Sequence, residues 1–282
     1  MRASLFLISL FPISLGLSSA GCSDGREYAE KTGVAASAAS ATAQAEAPAP
    51  AATKAPEAFA FEDNAERGGG NREFAYSWPA EVSAIPTLAA RFEQERANEL
   101  TEQKSEWEES LTESSEGCVS CRSRGFEKAW QVVADLPDYL SLSATLYLYT
   151  GGAHGMHGMT SLVWDKRAGE GITGAEMFNS TVELEHALGG KLCDALDRER
   201  AKRRGAPVVR DGQWSSDCPG LDEASVLVGS SNGKTFDRIG IYFGPYVAGS
   251  YAEGDYELDF PVTASVIDAV KPAYREAFSV KR

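Results

Sequence analysis

Apolar and polar positions alternate along this chain with a period that changes from segment to segment. Phe74, Tyr76 and Trp78 alternate with Glu73, Ala75 and Ser77, the period of a half-buried strand. Pro79 stops that strand, and Pro86 suits the first turn of a helix. Ile85, Leu88, Phe92, Leu100, Trp107 and Leu111 then fall on one face of a long helix. Its other face carries Glu, Gln, Lys and Arg, which reads as a solvated surface. Further on, Trp130, Val132, Ala134 and Leu136 alternate, and Pro137-Asp138 marks a turn. Leu140, Leu142, Ala144, Leu146 and Leu148 form the next apolar row, opposite Ser141, Ser143, Thr145, Tyr147 and Tyr149. The loop GGAHGMHG follows, then a return strand with Leu162 and Trp164 on one side.

Two capping boxes come next, Thr173 with Glu176 and Ser180 with Glu183. The second opens a helix in which Leu184, Leu188, Leu192 and Leu196 stack at i+4. Lys202, Arg203 and Arg204 suit its last turn and Gly205 its end. SVLVGS and FDRIGIYF read as strands joined through Ser231-Asn232-Gly233-Lys234. Tyr256, Leu258 and Phe260 alternate once more, and Thr263 caps a short C-terminal helix. Separate hairpins and long helices, without regular βαβ alternation, predict an α+β fold with mainly antiparallel sheets. A long N-terminal helix and a second central helix pack on those sheets.

The first residues follow a different logic. Arg2 precedes an apolar run from Leu5 to Leu17, and Ser18, Ser19, Ala20 and Gly21 lead to Cys22. The run is too short to span a bilayer and reads as a secretion signal. Ser19-Ala20-Gly21-Cys22 resembles a bacterial lipobox, although Ser19 stands where Leu is usual. The resemblance implies cleavage before Cys22, lipid on that residue and a stable membrane anchor. The plainer alternative is an exported protein cut near Ala20 with an incidental thiol. Ser23 after the cysteine favours sorting to the outer membrane of a Gram-negative cell. Residues 23–72 are rich in Ala, Pro, Ser and Thr and read as a tether. About fifty residues of flexible coil reach roughly 40 Å. The expected organisation is a signal peptide over 1–21 and a lipid-anchored linker over 22–71. Subdomains over 72–170 and 171–282 follow.

The 282 residues carry a formal net charge of −14, and loss of Arg2 with the signal takes it to −15. Such a chain repels nucleic acid and anionic lipid. Four cysteines remain after Cys22, and four allow three connectivities. Cys118 and Cys121 form a C-x-x-C unit whose readings are a redox pair, half a zinc site or a local staple. No thioredoxin-like context surrounds it, and Cys193 and Cys218 lack a matching close spacing. Structural disulfides Cys118–Cys121 and Cys193–Cys218 are therefore expected.

Three segments carry a family resemblance. They are the FAYSWP strand with its long helix, residues 147–178 with Tyr149-x-Gly151-Gly152-Ala153-His154, and residues 241–261. The last holds Tyr242-Phe243-x-Pro245-Tyr246 and Tyr251-Ala252-x-Gly254. Together they resemble the paired extracytoplasmic domains of unknown function at the C-terminus of the lysozyme-sensing anti-sigma factor RsiV. Similar domains accompany the peptidoglycan deacetylase PdaC and occur in many bacterial lipoproteins. The resemblance covers roughly residues 72–278 and implies two intimately packed α+β subdomains, with no established catalytic residue. The sequence shows no sigma-binding segment and no separate deacetylase domain, so neither activity is expected. Binding of lysozyme or of cell-wall glycan is what the resemblance carries over, as an envelope module.

Two motifs hold candidate chemistry. His154 and His157 in GGAHGMHG can be read as metal ligands for an envelope hydrolase, but no carboxylate lies within the loop and HExxH spacing is absent. Glycines more simply permit a tight connection between strands. Tyr246 and Tyr251 sit in a Gly- and Pro-containing loop and suit stacking on sugar rings or a protein surface. No nucleophile elbow, triad or nucleotide loop is present, and no cofactor is expected. The leading expectation is a lipid-anchored periplasmic module that binds peptidoglycan fragments or a lysozyme-like protein, with the hydrolase as the alternative. The anchor has a direct check. Radiolabelled palmitate is expected to enter the wild-type protein and not Cys22→Ala, and equal labelling of both would exclude lipid at this cysteine.

Overall fold

The computed structural model describes residues 55–281, so Cys22, the signal segment and most of the tether lie outside the described residues. Among the described residues no helix is long and apolar enough to cross a membrane. Ten strands form a seven-stranded and a three-stranded sheet. The larger sheet holds β1 (Phe59–Glu62), β2 (Ala65–Arg67), β3 (Gly70–Trp78), β4 (Arg124–Asp135), β5 (Tyr139–Tyr149), β6 (Met156–Asp165) and β7 (Glu170–Ile172). Its order is β1-β3-β4-β5-β6-β7, with β2 paired to β3. The smaller sheet runs β10-β9-β8, with β8 at Ser225–Gly229, β9 at Arg238–Phe243 and β10 at Tyr256–Pro261. This is the expected α+β fold with antiparallel sheets, save for one parallel pair, β3 with β4.

Helices α1 (Ala80–Ser83) and α2 (Pro86–Glu113) make the crossover that a parallel pair requires. Pro86 occupies the first turn of α2, as expected, and Leu88 and Phe92 face the sheet. Phe74, Tyr76, Trp78, Leu88, Phe92, Trp130, Leu140 and Leu142 build the core between them. Phe92 stacks on Trp130 with ring centroids 4.5 Å apart. The buried Trp130 indole donates to the Tyr76 hydroxyl at 3.0 Å and the Trp78 indole to the Ser83 hydroxyl at 3.0 Å, whereas the Trp164 indole nitrogen in the same core has no partner.

A second core lies between the other face of the large sheet, through Ala134, Leu136 and Val163, and the three-stranded sheet and helices. Those helices are α3 (Thr181–Leu188), α4 (Gly190–Arg204) and α5 (Ala264–Ala269). Ser180 and Thr263 cap α3 and α5 by accepting from the Glu183 and Val266 amides. Cys193–Cys218 bonds α4 to the loop that follows it, and Cys118–Cys121 closes a tight turn after α2.

Several expectations are corrected. Order starts earlier than residue 72. Phe59 and Phe61 lie on β1, and Phe59 stacks on Trp78 at 3.8 Å, so two aromatic residues recruit the end of the tether into the sheet. Gly68 and Gly69, read as the end of the tether, have φ of 61° and 75° and turn β2 into β3. The single central helix is two, because Gly189 adopts φ 59° between α3 and α4, while the four leucines still share one buried face. A bulge between Val132 and Ala134 leaves Val132 exposed. The Thr173–Glu176 box opens only a 3-10 turn, Ala175–Met177. The last three residues of GGAHGMHG belong to β6, which begins at Met156 and carries His157.

Candidate functional site

Helix α4 ends in three arginines that shape the Tyr246–Tyr251 loop. Arg200 is fully buried and donates to the carbonyls of Ala248, at 2.8 Å, Ser216, at 3.1 Å, and Asp217, at 2.7 Å. Burial lowers its pKa, and Asp197 beside it at 3.2 Å opposes that shift. Arg203 donates to the carbonyls of Glu253 and Asp255 and lies 4.0 Å above the Tyr256 ring. Arg204 donates to the Glu253 carboxylate at 2.9 Å. Within the loop, Ser250 and Glu253 form a reciprocal capping box. Tyr246 sits at φ 69°, a conformation that costs a bulky residue on the order of 1 kcal/mol or more and persists only under surrounding restraint.

The loop so formed meets the turn between β5 and β6. Tyr251 donates its hydroxyl to the Gly155 carbonyl at 2.8 Å, and its ring stacks on His154 at 3.8 Å and 21°. The Tyr246 hydroxyl lies 3.5 Å from His154 Nε2, and the two tyrosine rings are 5.6 Å apart. His154 Nδ1 approaches the Gly155 carbonyl at 3.0 Å. A carbonyl only accepts, so this contact is a hydrogen bond in the tautomer that has its proton on Nδ1, and in that tautomer Nε2 faces the Tyr246 hydroxyl as an acceptor. Both ring nitrogens are thus directed at protein atoms. A Cβ on Gly155 would fall 2.3 Å from the Tyr147 ring, so glycine is what lets that ring lie over the turn.

The aromatic corner continues across the open part of the large sheet. Register places Glu62, Ala75, Glu127, Tyr147 and His157 directly opposite one another on successive strands, hence on one face. A cleft of about 260 Å³ involves Glu62, Glu73, Glu127 and Tyr147. A second, of about 390 Å³, shares Glu127 and Tyr147 with it and reaches His157. A third, of about 310 Å³, lies between His157, Pro245, Tyr251 and Asp255. Three hollows joined by shared residues make one track lined by carboxylates and aromatic rings.

Tyr246 is 49% exposed, and the structure brings it together with Tyr251 and His154, residues flagged on separate motifs. His157 leans instead on Tyr147, with centroids 5.0 Å apart. His186, on α3, is not part of the corner. Among the described residues no three His, Cys, Asp or Glu side chains gather as a metal ion needs. Sequence reasoning missed Glu62, Glu73 and Glu127, whose only signal was their place opposite the buried faces of strands. It also missed Arg200, masked as one cation among many on a charged helix.

Residues 71–157 match the family model described as Deacetylase PdaC. This stretch is thus similar to the PdaC family that the motifs indicated. Among solved structures, it is similar to a member of the DUF3298 family from Bacteroides fragilis. Identity is 15% and the TM-score 0.46, over 78% of this chain and 95% of that one. A DUF3298 family protein from Pseudomonas aeruginosa is similar at 18% identity and TM-score 0.46, over 80% of this chain and 96% of that one. No curated protein matches the chain.

The Glu253 carboxylate that braces the loop gives it a defined acid sensitivity. Burial pushes this carboxyl up, but bonds from Tyr256, Arg204 and the Ser250 amide together outweigh burial and hold it below its ordinary value. A carboxyl depressed by folding stabilises above its unfolded pKa of about 4.3 and loses that contribution as pH falls through the folded value. The stability gap between wild type and Glu253→Gln is therefore expected to be largest near about pH 6 and to close toward about pH 3. Thermal unfolding across that range checks it, and a gap that stays constant would contradict it.

Proposed function

We propose that this chain is a lipid-anchored envelope module that binds cell-wall glycan along the track from Glu127 to Tyr251. The observation that carries the reading is the exposed Tyr246 ring, held at positive φ beside Tyr251 and His154 at the end of an open cleft. Tyrosine offers an apolar face to the C–H surface of a sugar and a hydroxyl to its oxygens. The flanking carboxylates of Glu127 and Asp255 are acceptors for sugar hydroxyls. In this reading Cys22 carries the lipid, residues 22–71 form the linker, whose end pairs into the sheet, and the two subdomains face the periplasm from the outer membrane.

The row of Glu62, Glu73 and Glu127 on the same face favours a second occupant, a basic lysozyme-like protein. Its association would be fast and sensitive to salt. Calorimetric titration with muropeptides and with lysozyme separates the two. Wild type is expected to bind muropeptide, and Tyr246→Ala/Tyr251→Ala to bind roughly tenfold more weakly or worse while remaining folded by circular dichroism. Salt-sensitive binding of lysozyme alone would select the second occupant. No binding of either by wild type would overturn the proposal, and unchanged binding by the folded double variant would remove the site.

A further inference from the structure

The opposite face of the same sheet carries an apolar row that runs out from under its helix. Phe74, Phe126, Leu148 and Met156 stand directly opposite one another on β3, β4, β5 and β6. The first two are 1% and 7% exposed beneath α2, whereas Leu148 and Met156 are each 40% exposed. Leu146, one pleat along, also meets the edge of the core. A cleft of about 220 Å³ opens between this floor and α2, with Phe126, Leu146 and Leu148 on one side and Glu99, Glu102 and Glu106 on the other.

The helix wall is uniform in charge. Glu95, Glu99, Glu102, Glu106, Glu109 and Glu113 recur at steps of four and three, one stripe along α2. Two of the three cations of α2 serve other partners, Arg96 bonding Glu93 and lying over the Phe61 ring while Lys104 bonds Asp63. Lys128 in the groove is engaged by Glu95. Among the described residues, Glu99, Glu102 and Glu106 have no salt-bridge partner. Burial and the neighbouring carboxylates push the Glu99 carboxyl up, against the pull of Lys128. Like charges four residues apart destabilise a helix, so this stripe opposes the stability of α2 when nothing lies beside it.

We infer that the groove between α2 and the β5–β6 hairpin docks a cationic amphipathic segment of another protein, with apolar side chains on Leu146, Leu148 and Met156 and Lys or Arg along the glutamate stripe. Charge complementarity selects this occupant. An acidic segment would meet repulsion along the whole wall, and a second copy of a chain with net charge −14 is disfavoured on the same ground. The inference does not rest on the glycan reading, because Leu148 and Met156 lie on the opposite face of the sheet from Tyr147 and His157.

The test is fluorescence anisotropy of a labelled, helical Leu/Lys amphipathic peptide against the full chain. Two controls have the same length, a Ser/Lys peptide without apolar residues and a Leu/Glu peptide. The Leu/Lys peptide is expected to bind, and both controls to bind at least about tenfold more weakly. Leu148→Ser/Met156→Ser and Glu99→Gln/Glu102→Gln/Glu106→Gln are each expected to weaken it about tenfold, whereas Tyr246→Ala/Tyr251→Ala leaves it unchanged. The glutamine variant replaces partly or fully exposed carboxylates, which keeps the test valid if the serine variant unfolds. Failure of the Leu/Lys peptide to bind would overturn the inference. So would equal binding of the Ser/Lys peptide, or unchanged affinity in the glutamine variant. A dimer of the chain alone in sedimentation, lost in Leu148→Ser, would assign the groove to a second copy and also overturn it.

Discussion

The guanidinium of Arg200 has left water, and everything at the aromatic corner depends on how it is satisfied. A buried cation is tolerable only where fixed dipoles replace its hydration. Here the carbonyls of Ala248, Ser216 and Asp217 converge on it, with Asp197 beside it. These groups come from three stretches of chain, so one side chain ties the end of α4 to the loop after it and to the loop that carries Tyr246 and Tyr251. Cys193–Cys218 restrains that first loop covalently. The restraint this network imposes is what allows a tyrosine to stay at positive φ and present its ring outward.

The large sheet divides its two faces between cover and exposure. Helix α2 covers one face near β3 and β4 and leaves the β5–β6 end open. The three-stranded sheet covers the other face near Ala134 and Val163 and leaves the end with Glu127 and Tyr147 open. The β5–β6 hairpin therefore projects past both layers. Its turn supplies His154 and Gly155 to the aromatic corner, and its outer apolar face supplies Leu148 and Met156 to the groove. Strands that begin inside a core and end outside it carry chemistry at their free ends without loss of the packing that orients them.

Periodicity revealed most elements because burial imposes it locally. Phe74, Tyr76 and Trp78 read as a strand and are one, and the leucines of 184–196 mark a buried helical face. What escaped was set by contacts distant in sequence or by a single dihedral. Phe59 and Phe61 become a strand because Trp78 and its neighbours offer an edge, and composition alone made them tether. The left-handed Gly189 breaks a helix without disturbing its leucine spacing. At the site, His154, Tyr246 and Tyr251 were each visible as candidates, but their meeting was not. The hydrogen bond that joins them spans 96 positions between Gly155 and Tyr251. The carboxylate row needed a strand register that alternation cannot supply. Arg200 was hidden because charge on a helix is ordinarily solvated.

The central claim is that the corner of His154, Tyr246 and Tyr251 receives a sugar ring. Its most direct measurement is side-chain NMR of the folded full chain during titration with a GlcNAc–MurNAc muropeptide. The ring resonances of His154, Tyr246 and Tyr251 are expected to shift together and saturate at one affinity, with Tyr147 and His157 following along the track. Saturable binding that leaves these rings unmoved, with shifts confined to other parts of the molecule, would contradict the account.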